Sequence, residues 1–237
     1  MTTINKKGEK TMTTDKKTAR IVGSLFIIAT AASLASSPFL APFSASNYLV
    51  DVSANQNQVL VGALVAFIAA LASASIAISL YPTLRKYDET LALAAVGFRL
   101  TEGVLYIVGI VSLLSLLTVS KEFVNAGAPN SSYFQTLGAS LLAGYHWVNY
   151  VGAVVAFGLG ALMYYYIFYQ TKLVPRWLSG WGLVAATLII AACMLVMFNV
   201  IGLFSTFQAV LILPIAVQEM ALAVWLIVRG FTLSPPS

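Results

Sequence analysis

The chain has 237 residues, of which 59% are hydrophobic and only 9% are charged. A soluble domain carries about 25% charged residues, so this chain could not wet a globular surface, and lipid must be the solvent for much of it. The net charge of +5 is not a nucleic-acid signal, since basic residues crowd the first twenty positions, and a single cysteine, Cys193, excludes an intramolecular disulfide.

Residues 1–18 form a basic tail containing Lys6, Lys7, Lys10, Lys16 and Lys17, with Arg20 just beyond. "MTTINKK" and "MTTDKKT" begin alike, as a second start codon at Met12 would produce. This tail is expected to be disordered or loosely helical, without chemistry, and drawn to anionic lipid. A bilayer core of roughly 30 Å needs about 20 helical residues to cross it. Six apolar runs reach or approach that length, at 21–37, 59–81, 91–119, 141–169, 178–198 and 206–228. They are continuous, whereas barrel strands alternate apolar and polar residues, so they predict helices. The fold class is therefore an all-α membrane protein: a six-helix transmembrane domain over 19–231, with a short C-terminal tail at 232–237. The first run, with its basic flank and "SLASS" at 33–37, also has the form of a cleavable signal peptide. Cleavage would put the mature N-terminus outside and leave the other five spans unchanged.

Orientation follows from Lys and Arg in the short connections. The first loop, "FLAPFSASNYLVDVSANQNQ", has none, and the second, "PTLRKYDET", has Arg85 and Lys86. The third has only Lys121 beside Glu122; the fourth has Lys172 and Arg176; the fifth has none; Arg229 follows the last run. This alternation predicts both termini in the cytoplasm.

Ionisable residues inside a span cost about 2.5–3.5 kcal/mol on insertion scales and are functional candidates by default. Arg99 and Glu102, in "FRLTEG", are three apart and share a helical face, which Tyr106 extends. Counted at 1.5 Å per residue, Arg99 lies roughly 12 Å deep, Glu102 roughly 16 Å and Glu219 roughly 15 Å. These charges form one layer near the midplane, the candidate site for a ligand, ion or proton. Pro214 can kink the last span just before Glu219. The competing reading is that the buried network only fixes which helices meet. His146, the one histidine, and Asn149 are secondary candidates near the outer interface, well away from the layer. Gly152, Ala156 and Gly160 form a small-residue stripe expected at a close helix contact. Cys193 reads as a small buried hydrophobe. No catalytic residue, metal site or cofactor is indicated.

The segments "ARIVGSLFIIAT", "LYPTLRKYDETLALAAVGFRLTEGVLYIVG", "PRWLSGWGLV" and "PIAVQEMALAVWLIVRGF" resemble the bacterial membrane-protein family catalogued as domain of unknown function 4386. The similarity covers roughly residues 17–231. It implies a bacterial cytoplasmic-membrane location and a self-contained helical bundle, and it implies no catalytic residue. Three readings of function remain. The protein binds or moves a small molecule, ion or proton at the Arg99/Glu102/Glu219 layer; or it is an intramembrane enzyme acting on a lipid or isoprenoid-like substrate; or it is an accessory protein whose charges only set packing. The expected partners are the bilayer and a small-molecule ligand, with no nucleic acid, and homo-oligomerisation is open.

Overall fold

The computed structural model describes residues 2–44, 47–129 and 133–232, with side chains from residue 16 onward. The chain is helical almost throughout: α1 (Thr2–Ser36), α2 (Tyr48–Ala54), α3 (Gln56–Leu84), α4 (Glu89–Asn125), α5 (Tyr133–Trp147), α6 (Val154–Thr171), α7 (Arg176–Met197) and α8 (Thr206–Val228). A 3-10 segment, Ser37–Ser44, precedes α2, and a π-helical segment, Val148–Ala153, joins α5 to α6 without a break. Among the described residues six stretches are long and apolar enough to cross a membrane. α5, the π segment and α6 form one of them, Tyr133–Thr171. The tail expected to be disordered or loosely helical is a continuation of α1 from Thr2. The expected C-terminal tail lies outside the described residues apart from Thr232.

The spans close into a ring in chain order. α1 packs on α3, α3 on α4, α4 on α6, α6 on α7, α7 on α8, and α8 back on α1. One end of the bundle is basic. There Thr232 N–H donates to the Leu173 carbonyl at 2.8 Å, and Gly230 lies against Lys16 and Ala19. The start of α1, the α6–α7 turn and the C-terminus are thus neighbours. The main core fills the ring from this end, through Phe26, Leu80, Leu84, Tyr164, Tyr165, Phe168 and Leu222. The far end is closed by the first loop. Phe43, Leu49 and Val52 leave water there by packing on Leu113, Leu116 and Leu117 of α4.

Local chemistry sets the helix limits. Asp88 caps α4 by accepting from Leu91 N–H at 2.9 Å. α4 then runs six residues past the apolar stretch, to Asn125, and ends in a Schellman turn with Gly127 at φ +82. Ser205 caps α8, accepting from Gln208 N–H at 3.2 Å, while the Gln208 amide oxygen accepts from Phe204 N–H at 2.6 Å. α7 ends in a second Schellman turn, with Asn199 left-handed at φ 56 and Val200 N–H donating to the Leu195 carbonyl. The small-residue stripe of the fourth span faces α4. Gly152 lies beside Leu105, and Gly160 lies beside Phe98 and Arg99.

Candidate functional site

Arg99 sits midway along α4 and is 1% exposed; Glu102, one turn on, is 2% exposed. The guanidinium and carboxylate meet at 3.1 Å, Nη1 to Oε2. Ser73 of α3 ties them together. Arg99 Nη2 donates to the Ser73 hydroxyl at 2.7 Å and to its carbonyl at 3.1 Å. The same hydroxyl donates to Glu102 Oε1 at 2.8 Å. α6 closes the other side. The Phe157 ring lies under the guanidinium, 4.7 Å from Cζ, as a cation–π partner. Gly160 lets the Arg99 stem lie flat, because a Cβ there would stand 3.0 Å from Cγ. The charge is thus held by three helices in a space with little room to spare.

The network is not filled. The Arg99–Glu102 contact is close enough for Coulomb attraction but lacks the alignment of a hydrogen bond. Arg99 Nη1 and Nε and Glu102 Oε2 are all buried without a hydrogen-bond partner. Glu219, on α8, comes near enough to interact electrostatically with Arg99 and Glu102. Among the described residues it makes no ion pair within 4.0 Å, and its Oε1 is buried without a partner. The Tyr164 hydroxyl, within electrostatic reach of Arg99 and Glu219, is also buried and unpartnered. Tyr106 is half-buried, within reach of Glu102 on one side and Tyr150 on the other, and donates no hydrogen bond to the network. Buried polar atoms in native proteins are nearly always paired with protein or water, so this concentration of unpaired ones calls for an explanation.

The secondary candidates separate. His146 packs its ring on Tyr145, Tyr150 and Phe204, with centroids 5.6, 5.9 and 5.7 Å away. It lines a cavity at the far end of the bundle. Asn149 is buried instead against Gly109 of α4, and its amide donates to the Tyr145 carbonyl at 3.1 Å. A π-helical turn frees carbonyls from the regular ladder. Here Asn149 satisfies one, and Cys193 satisfies another, Sγ donating to the Tyr150 carbonyl at 3.4 Å. Asn149 thus supports the helix, and Cys193 is the buried small residue that its surroundings predict.

The family model described as domain of unknown function (DUF4386) matches residues 21–230. The chain belongs to the DUF4386 family. No curated protein and no solved structure matches it. The match to DUF4386 takes in every residue of the buried layer.

Within this DUF4386 chain the sequence reading missed three contributors. Ser73 stands in "LASASIAISL", where serine is common at helix contacts and nothing sets it apart. Gln218 is fully buried; it accepts from the Tyr165 hydroxyl and donates to the Leu178 carbonyl at 3.0 Å. It was legible, because an amide in a span needs partners as a charge does. Phe157 carries no signal of its own.

Proposed function

We propose that this protein is a multi-pass protein of the bacterial cytoplasmic membrane, with both termini inside, that takes up a proton or a small polar ligand at the Arg99/Glu102/Glu219 layer. The carrying observation is the buried, unpartnered Oε1 of Glu219 beside an arginine already engaged by Glu102 and Ser73. Arg99, Glu102 and Ser73 form a fixed frame with a positive end. Glu219 is the exchangeable group. Its carboxylate feels the guanidinium without being locked to it, so binding a proton or a donor from a ligand changes its partners and leaves the frame intact. The Tyr164 hydroxyl supplies a second unfilled position. Pro214, five residues before Glu219, cannot donate to the helix ladder and loosens α8 where a conformational step would need it.

A second reading has its own support. The frame joins α3, α4 and α6 around one buried charge, which is what a packing device does. The two readings separate in one experiment. Arg99→Met with Glu102→Gln and Glu219→Gln removes every charge, and buried ion networks often tolerate such replacement. Its thermal stability in detergent is measured beside complementation of a deletion strain, with Glu219→Gln alone in parallel. The binding reading expects both variants to fold and both to lose the phenotype. A folded triple variant that complements fully leaves only the packing reading.

A further inference from the structure

We propose that the far end of the bundle holds a second binding site, taking a neutral, ring-sized amphiphile of the substituted-phenol class. It shares no residue with the charged layer. The site is a cavity of about 200 Å³ between the π segment and the α7–α8 loop. Its inner wall is apolar, built from Val151, Val196, Ile201 and Leu203. His146, Trp147 and Asn199 bring the hydrogen-bonding side chains, and among the described residues no Asp, Glu, Lys or Arg lines it. An apolar cavity of about 150 Å³ accommodates benzene. This one therefore admits a single ring with one or two small substituents. The lack of a charged residue selects a neutral ligand, because an ion would have to shed its water without recompense.

The polar groups are available. Among the described residues His146 makes ring contacts but no hydrogen bond, so its donor and acceptor nitrogens are both free for a ligand hydroxyl. Asn199 is exposed at the mouth. Trp147, which also lines the cavity, is exposed beside it, an amphipathic ring at the opening.

Two backbone features lie next to the cavity. The π segment contributes Val151 to its lining, and such segments are frequent at functional sites. Phe204 adopts φ 64, a conformation bulky residues rarely hold. The left-handed Asn199 is explained by the Schellman turn; Phe204 closes no helix. Its ring rests edge-on against Tyr150, 4.8 Å between centroids, and its N–H is held by Gln208. Strain held in place by its surroundings is characteristic of ligand clamps. Here it keeps Phe204 against the rings of Tyr150 and His146, and so supports His146, which lines the cavity.

The single histidine makes the test direct. The full chain is labelled with ¹³C-histidine, placed in lipid nanodiscs and titrated with 4-ethylphenol. The His146 ring signals are expected to shift and saturate. Ethylbenzene, of similar size but without the hydroxyl, is expected to bind about tenfold more weakly. Gly202→Leu, at a cavity residue where an added Cβ meets nothing within 4 Å, should abolish the saturable shift. Ala143→Leu, at a lining residue on α5, repeats the test independently. A shift that climbs linearly with probe overturns the site, since that is partitioning into lipid. So does equal affinity for ethylbenzene, or saturation that persists in a folded filling variant. The first two arms need no variant, so a misfolded one does not remove the decision.

Discussion

Arg99 is 1% exposed, and everything around it answers that fact. A guanidinium cannot escape burial by losing its proton, so it must be surrounded by acceptors and faces of negative potential. Glu102, the Ser73 hydroxyl and carbonyl, and the Phe157 ring are those surroundings. Arg99→Leu should destabilise the bundle by about 3–5 kcal/mol, because it strands the Glu102 carboxylate. The loss should shrink when Glu102→Gln is added, as unfolding in a graded detergent series would report. A second residue-scale test concerns Gly182. A Cβ there would lie 2.6 Å from two atoms of the Tyr165 ring. That ring cannot yield freely, since its hydroxyl is fixed on Gln218. Gly182→Ala should cost about 1–3 kcal/mol. Gly97→Ala, where a Cβ meets nothing within 4 Å, should instead be neutral or stabilise by about 0.5–1 kcal/mol. Equal unfolding midpoints for the two variants would refute the packing account. The Arg99–Glu102 pair was legible in the sequence because charge in an apolar run is conspicuous and helical spacing is fixed. Ser73 and Phe157 were not, because they become partners only through helix packing, which no local pattern encodes.

At the scale of elements, the apolar runs located the spans but not their ends. α4 continues to Asn125, because a helix stops at a capping geometry, not where hydrophobicity falls, and the fourth span begins at Tyr133, ahead of its apolar run. The π segment had no visible signature either. It accompanies a close approach: Asn149 lies over Gly109 so tightly that a Cβ on Gly109 would overlap its amide. Gly109→Ala should therefore destabilise by about 1–3 kcal/mol. Asn149→Ala should cost about 1 kcal/mol, through the lost donor to the Tyr145 carbonyl. Together they should cost less than their sum, with a coupling of at least about 1 kcal/mol. Additive losses in the same unfolding assay would mean that the two residues do not share the space described.

At the scale of the molecule, charge and fold agree on two distinct ends. Thr232 bonded to Leu173, and Gly230 packed beside Lys16 and Ala19, bring the start of α1, the α6–α7 turn and the C-terminus together. Lys16, Lys17, Arg20, Lys172, Arg176 and Arg229 therefore cluster in space, joined by Arg85 and Lys86 of the α3–α4 turn, while among the described residues Lys121 is the Lys or Arg at the other end. Basic loops are retained on the cytoplasmic side during insertion, so the clustered end should face the cytoplasm. Reporter tags fused to either terminus should then read as cytoplasmic, and one inserted within residues 40–57 as external. A cytoplasmic reading from 40–57 would end the six-span arrangement. Signal-peptide cleavage makes a different prediction: a mature N-terminus near Ser36. Removing α1 would strip Ala19, Val22 and Phe26 from the main core and expose the faces of α3 and α8 that it covers. Intact mass of the membrane-extracted protein decides between them.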